Sequence, residues 1–358
     1  MDYFNLTLFP LLVSLIATAA LTPLTISLAK KLGLLDNPKR NHPGIIHKKP
    51  VPRGGGIPFL AGILIACFIF LPMTKLTIAI FVSSLICLVV GVLDDKYDLS
   101  PYLRFAVNIL VATIVVGAGI GIPFLTNPMG GIVNLGIFKF SFDFFGVHTI
   151  NFLSDFLAIV WIVWVMNMLN WSKGVDGQMP GIVAISAIII GLLSLRFGVL
   201  DTNTLISAKL AFAIAGASLG FLFFNFYPAK IFPGYGATSI YLLLAVVSIL
   251  SSVKLATAIL VMGVPMIDGM FTIIRRISTG RSPFWHDKKH LHHLLLNMGL
   301  SQRKIALLYW LFSAILGLLS LTLTSTGKLF AIIMLIAIVG GAILSLHYIS
   351  KNNEKIPV

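Results

Sequence analysis

The chain has 358 residues, 58% of them hydrophobic and only 11% charged, with a mean hydropathy of +0.98. Soluble domains carry roughly 25% charged residues, and no soluble fold of this length hides so much apolar surface, so the composition defines an integral membrane protein. The net charge of +14 would otherwise suggest nucleic acid; in so apolar a chain it sets membrane topology, and no nucleic-acid partner is expected.

A hydrocarbon core about 30 Å thick takes about 20 apolar residues in a helix. Eleven segments qualify, at about 4–29, 57–72, 76–93, 103–122, 152–169, 180–197, 205–226, 237–252, 254–274, 305–323 and 328–349. The first lacks a basic leading region and a small-residue cleavage site, and reads as a retained helix. The pair 237–252 and 254–274 reads equally as a hairpin or a broken helix. Cys67 and Cys87 sit inside apolar runs and read as small buried side chains. Between the fourth and fifth spans, the stretch GGIVNLGIFKFSFDFFG alternates enough to suggest a short hairpin. No internal repeat interrupts the chain, and residues 1–358 read as one all-α, polytopic transmembrane domain.

Charge orients the spans. Twenty of the 26 Lys and Arg fall on one side, in the loop 30–56 (Lys30, Lys31, Lys39, Arg40, Lys48, Lys49, Arg53), in the loop 275–304 (Arg275, Arg276, Arg281, Lys288, Lys289, Arg303, Lys304) and at Lys96, Arg104, Lys173, Lys230, Lys351 and Lys355. Lys75, Lys139, Arg196, Lys209, Lys254 and Lys328 fall on the other. Cytoplasmic loops carry the excess of basic residues, so the N-terminus is expected outside and the C-terminus in the cytoplasm.

Carboxylates gather on that same cytoplasmic side. Asp94 and Asp95 end the third span in GVLDDKYDLSP, Asp176 lies in the tight loop NMLNWSKGVDGQMPG, and Asp268 lies near the end of the ninth span. An ionised carboxylate at membrane depth costs several kcal/mol unless paired, hydrated or metal-bound. Converging carboxylates suit Mg²⁺, which prefers oxygen ligands and keeps waters; solvation at helix ends or pairing with nearby lysines is the alternative for any one of them. Asn167 and Asn170, three apart at the end of the fifth span, should face protein or ligand. The segment SPFWHDKKHLHH holds His286, His290, His292 and His293. At helical spacing His286, His290 and His293 share a face, suited to contact with phosphate or to a transition metal. Arg53 precedes Gly54, Gly55 and Gly56, a run whose N–H groups could hold phosphate or simply turn the chain into the membrane.

These motifs in this order resemble the polyprenyl-phosphate N-acetylhexosamine-1-phosphate transferases of glycosyl transferase family 4, the membrane family of MraY and of the WecA and TagO types. The resemblance runs from about Asp36 to Arg303 and rests on GVLDDKYDLSPYLR, N-x-x-N with GVDG, NFYPAKIF and HLHH together; the last is closer to the WecA and TagO types. It implies transfer of a sugar 1-phosphate from a UDP-N-acetylhexosamine to polyprenyl phosphate with release of UMP, at the cytoplasmic face of the cell membrane, as the first membrane step of a cell-surface glycan. It implies Mg²⁺ (or Mn²⁺) as cofactor. Carried over residue by residue, it implies catalytic roles for Asp94 and Asp95, metal ligation by Asp95 and Asp176, and substrate contacts from Arg53, Asn167, Asn170, Lys173, His290, His292 and His293.

The chain departs from the family pattern at three points, the mildest being Arg104, which keeps the charge where many relatives have Lys. Lys173 stands where relatives usually have Asp, and FPGYGATS replaces their F-x-G-D-x-G-S, so that Tyr235 takes the place of a metal-ligand Asp. A protonated phenol is a poor Mg²⁺ ligand near neutral pH, so a bound metal is expected to use Asp95 and Asp176, helped by Asp94 or Asn170. The alternative reading is a non-catalytic relative that binds polyprenyl phosphate or UDP-sugar. A transporter should carry its charges near the bilayer midplane, whereas here they gather at one face. A homodimer is compatible with the sequence but not specified by it.

Overall fold

The computed structural model describes residues 3–36, 49–143, 147–196, 201–250, 255–285 and 287–353. Lys39, Arg40, Lys48, Lys254, His286 and Lys355, used above, lie outside the described residues. One turn, α1 (Tyr3–Leu6), leads into α2 (Leu8–Lys31). A two-residue ladder of β1 (Leu35–Asp36) and β2 (Val51–Pro52) precedes α3 (Gly56–Phe70), α4 (Lys75–Tyr97) and α5 (Pro101–Gly117). Two antiparallel hairpins follow, β3 (Phe124–Thr126) with β4 (Ile132–Asn134) and β5 (Lys139–Asp143) with β6 (Val147–Asn151). The rest is helical: α6 (Phe152–Trp171), α7 (Gln178–Arg196), α8 (Thr202–Asn225), a 3₁₀ turn at Tyr235–Ala237, α9 (Thr238–Leu250), α10 (Leu255–Val261), α11 (Gly263–Ser278), α12 (Leu291–Asn297), α13 (Gln302–Thr322) and α14 (Ser325–Asn353).

The fold is all-α and polytopic. Each of the eleven expected segments coincides with a helix or a helix pair. Among the described residues, seven helices are long and apolar enough to cross a membrane (α2, α4, α6, α7, α8, α13 and α14), and α10 with α11 makes an eighth if counted as one bent span. Helices α3, α5 and the segment Tyr235–Leu250 are apolar but shorter. At about 1.5 Å rise per residue, the 15 residues of α3 cover less than the thickness of the hydrocarbon core.

Two expectations are refined. The break expected around 237–274 falls inside the second segment, where α10 and α11 meet at 85°. Its cause is local: Pro265 has no N–H to donate to Val261, so α10 cannot continue through it. The loop 123–151 contains two hairpins in place of one, and the two strands drawn from the alternating stretch, β4 and β5, each pair outward with a different partner. Gly130 and Gly131, both at positive φ, turn β4 back onto β3.

Helices α7 and α8 fill the middle of the bundle, while α2 and α14 expose most of their surface. Small residues let backbones approach, as in other membrane helix pairs: Gly216 and Gly220 of α8 lie against the Leu11 and Leu15 carbonyls of α2. The same device positions the carboxylates described below. Gly91 of α4 and Gly56 of α3 both abut the backbone of Gly236, and a Cβ at either would overlap it. Backbone cannot swing aside as a side chain can, so Gly91→Ala should destabilise by about 1–3 kcal/mol. Gly341→Ala, at an exposed position with no atom within 4 Å of the new Cβ, is the control. Thermal unfolding of the detergent-solubilised protein checks this: a lower Tm is expected for the first variant only, and equal values would refute the packing argument.

Candidate active site

The sequence GVLDDKYDLSP folds as helix, turn and helix. Asp98, at φ 54°, ends α4 and returns its N–H to the Asp94 carbonyl. Ser100 caps α5, with Pro101 in the first turn. This hairpin sets Arg104 against Asp94, with guanidinium-to-carboxylate distances of 3.2 and 3.3 Å. Asp94 also accepts the Leu99 N–H at 3.0 Å. The neighbouring Asp95 is buried; one of its oxygens accepts the Tyr235 N–H at 2.9 Å and faces Arg53 at 3.2 Å. Its other oxygen, Oδ2, has no hydrogen-bond partner among the described residues.

The loop after α8 is tied to this pair. Phe232 donates to the Pro52 carbonyl, and Gly55 and Gly56 donate to the Phe232 and Pro233 carbonyls at 3.1 and 3.0 Å. The glycine run therefore serves close backbone docking, and the N–H groups of Gly55 and Gly56 are not free for phosphate. Arg53, directly before the run, does reach the site. Lys173, in the loop after α6, donates to the Gly234 carbonyl at 2.8 Å. The Tyr235 ring lies between two cations, with Arg104 at 5.2 Å and Lys173 at 5.5 Å from its centroid. Its hydroxyl accepts from Asn108 at 3.4 Å. Burial pulls Lys173 down to about 7, against the opposing attraction of Asp95.

The histidines arrive at the start of α12. His290 is the N-cap of α12 and not part of its helix, so the expected helical face of His286, His290 and His293 is replaced by a cluster of His290, His292 and His293. The rings of His290 and His292 stack at 5.6 Å, and His292 and His293 meet at 4.2 Å. Gly174 lets the His292 ring lie directly on the loop after α6, where a Cβ would overlap it. Burial, with the neighbouring His290, lowers His293 to about 4 and pushes His292 well below the usual imidazole range.

Arg53, Asp94, Arg104, Asn167, Asn170, Lys173, His290, His292 and His293 all line one cavity of about 200 Å³. Asp95 lies directly beneath it, bonded to the lining residues Arg53 and Tyr235. Asn167 donates to the Val163 carbonyl at 2.7 Å, and Asn170 keeps a buried carbonyl oxygen without a partner. Asp176 is not brought to the cavity wall. Its carboxylate accepts the Ala229 N–H at 2.9 Å, while Asn225 bonds both Gly177 N–H and Ile231 O, so these residues lock the loops after α6 and α8 together. Asp268 holds His290 at 2.9 Å.

Sequence reasoning missed a second wall. Arg276 stacks on Trp171 at 5.1 Å and pairs with Asp287 at 3.0 Å, and Arg275 joins the same carboxylate at 3.1 Å. Burial would raise Asp287, but the Lys289 N–H and Arg276 outweigh it and hold the group at about 2. The doubled arginine in TIIRRIS was the available signal, and topology alone had absorbed it.

The residues offer a fit for a hard cation. Asp95 Oδ2 and Asn170 Oδ1 are buried oxygens without partners, and Mg²⁺ binds through one or two carboxylates plus substrate phosphates, keeping waters. No group of three or more His, Cys, Asp or Glu able to cage a metal occurs among the described residues. A larger cavity of about 950 Å³ opens at the opposite end of α4, around Lys75. Lys75, Lys328, Asp155 and Asp201 are among its lining residues, but no arginine or histidine is, whereas the smaller cavity gathers three arginines, Lys173 and three histidines.

A cationic cavity backed by adjacent carboxylates, at one end of a bundle of apolar helices, defines a membrane enzyme for phosphorylated substrates. Residues 77–252 match the family described as glycosyl transferase family 4. The chain is 32% identical over 338 residues to a probable undecaprenyl-phosphate N-acetylglucosaminyl 1-phosphate transferase of Bacillus subtilis, covering 91% of this chain and 88% of that protein. It is 32% identical to a decaprenyl-phosphate N-acetylglucosaminephosphotransferase of Mycobacterium tuberculosis (81% of this chain, 76% of that protein). It is 29% identical to an undecaprenyl-phosphate alpha-N-acetylglucosaminyl 1-phosphate transferase of Yersinia pestis (81% and 77%). The chain belongs to the polyprenyl-phosphate N-acetylglucosamine-1-phosphate transferases of glycosyl transferase family 4 and is an enzyme of that kind.

Proposed function

We propose that the protein transfers N-acetylglucosamine 1-phosphate from UDP-N-acetylglucosamine to polyprenyl phosphate at the cytoplasmic face of the cell membrane. A lipid phosphate oxygen attacks the sugar-bearing phosphorus, the bond between the two phosphates breaks, and UMP leaves. The observation that carries this reading is the convergence of Arg53, Arg104, Lys173 and three histidines on one cavity backed by Asp94 and Asp95. Two anionic substrates repel each other, and fixed cations offset that repulsion and the charge on the leaving group. Asp94 holds Arg104, and Asp95 holds Arg53 and the backbone at Tyr235, so both cations are oriented before substrate arrives. A radiolabelled panel of UDP-sugars with purified protein and polyprenyl phosphate tests the sugar: lipid-linked label is expected from UDP-N-acetylglucosamine, and label from another donor alone would reassign it.

We also propose eleven spans with the N-terminus outside, supported by the partition of basic residues. Cysteines replacing Lys288 and Lys139 should label from opposite sides of sealed vesicles; labelling of both from one side would refute this orientation.

A divalent cation would be held by Asp95 with Asn170 and Asp94, and by Asp176 if its carboxylate turned from Ala229; it would neutralise the diphosphate of the donor. Tyr235→Asp would add a second carboxylate at the residue whose backbone N–H holds Asp95 and should tighten Mn²⁺ binding by about tenfold, the effect of about 1.4 kcal/mol. Electron paramagnetic resonance titration of free Mn²⁺ measures this, with Mg²⁺-dependent UMP release alongside. Unchanged affinity would remove position 235 from the metal's surroundings, and metal-independent turnover of the unaltered protein would defeat the metal assignment.

A further inference from the structure

Asp268 does not itself line the cavity, yet it is bonded to His290, which does and which begins the histidine cluster. It is buried on α11, with 2% of its surface exposed. One carboxylate oxygen lies 2.9 Å from His290 Nδ1, and the other accepts the Leu291 N–H at 2.9 Å. Thr272, one turn further along α11, lies 3.3 Å from the same ring nitrogen. A single side chain thus holds the His290 ring and the backbone at the first residue of α12, which carries His292 and His293.

The chemistry of this contact is restrictive. An ionised carboxylate only accepts hydrogen bonds, so the Nδ1 contact requires a proton on Nδ1. The nitrogen left for a ligand in the cavity is then Nε2, and its state is set by the bond on the far side of the ring.

We infer that Asp268 is a positioning residue for the transfer reaction: it fixes the tautomer and orientation of His290 so that Nε2 is the ring nitrogen left to the substrate cavity, and it anchors the start of the histidine helix. The inference rests on the proposed sugar-phosphate transfer. The groups that also act on this cluster are His292 and His293 on α12, Lys288 and Asp287 before it, and Arg276 through Trp171. None of them contacts Nδ1 among the described residues.

Asp268→Asn separates the role from mere packing. The Leu291 N–H and the His290 ring lie on different carboxylate oxygens, and an amide puts its one accepting oxygen at only one of those two places. If its oxygen keeps Leu291, its NH₂ faces His290 and calls for a lone pair on Nδ1, which moves the neutral ring's proton to Nε2. The test uses the full chain in nanodiscs with ¹⁵N-labelled histidine, His290 being assigned by its loss in His290→Gln. The unaltered protein should show Nδ1 protonated at neutral pH, and Asp268→Asn should show the proton on Nε2. Turnover should fall by about tenfold or more in Asp268→Asn. The same change made in His290→Gln should cost less than about twofold, because the two residues act as one unit. Asp268→Glu should restore part of the loss.

An unprotonated Nδ1 in the unaltered protein overturns the inference, and this reading needs no variant to fold. Equal losses with and without His290 also overturn it. If no donor and acceptor pair supports turnover, the transfer reading fails, while the nitrogen spectra still decide whether Asp268 sets the tautomer.

Discussion

Asp95→Asn should lower turnover by at least about 10²-fold, the scale of a positioned acid–base or charged group, while leaving the protein folded. The side chain keeps its shape, and an amide oxygen can still accept the Tyr235 N–H that now bonds Oδ1. What is lost is the charge that orients Arg53 at 3.2 Å and the anionic oxygen Oδ2, which is buried without a partner. Asp94→Asn should lose turnover on the same scale through a different cause, since Asp94 pairs with Arg104 and its loss frees that cation from the cavity wall. The two variants should therefore separate in substrate dependence: Asp94→Asn raises KM for the UDP-sugar, whereas Asp95→Asn acts mainly on kcat. Steady-state kinetics with both substrates measures this, and near-normal rates in both variants would remove the pair from the mechanism.

Lys173→Met is the second large effect. Lys173 lines the cavity, anchors itself on the Gly234 carbonyl and stands against the Tyr235 ring. Methionine keeps the length and removes the charge, so kcat/KM for the UDP-sugar should fall by about 10²-fold, comparable to losing one preorganised donor to a developing negative charge. Burial holds the group at about 7, so the charged form is present below that pH and lost above it. kcat/KM, which reports the free enzyme, should therefore decline as pH rises through about 7. In kcat the decline should move to higher pH, because bound phosphates stabilise the ammonium. Lys173→Arg, whose guanidinium stays charged across this range, should flatten the decline. A descent of the same shape in Lys173→Arg would assign the titration to another group.

Much of the site was legible because its residues cluster in sequence at the ends of helices on one side. Asp94 and Asp95 close a span, Asn167 and Asn170 share a helix end, Lys173 follows in a short loop, and His290, His292 and His293 stand at the start of a short helix; all but Asp95, which lies just beneath, converge on one cavity wall. What was not legible depends on contacts between distant segments. Asp176 has the same local signature as a ligand, but its orientation is decided by the Ala229 N–H, 53 residues away. The glycines after Arg53 read equally as a phosphate-holding run or a turn into the membrane, and only the docked Phe232 and Pro233 carbonyls reveal where the Gly55 and Gly56 N–H groups go. Asp268 sits 22 residues from His290, a separation that no local sequence pattern bridges.

The spans show the same division. Apolar length identifies the helices, since burying or lipid-solvating a backbone leaves little alternative. It does not place the 85° break between α10 and α11, which depends on which segment Pro265 interrupts. Alternation in the loop between α5 and α6 signals strands but not their partners, because register follows from turns that lie outside the alternating stretch.

The most direct test of the central claim is a stoichiometric assay of purified protein with UDP-N-acetylglucosamine, a divalent cation and polyprenyl phosphate. The account predicts UMP and lipid-pyrophosphate-linked sugar in a one-to-one ratio, with no UMP when the lipid phosphate is omitted. Release of UDP in place of UMP, or tight binding of both substrates with no product, would contradict it.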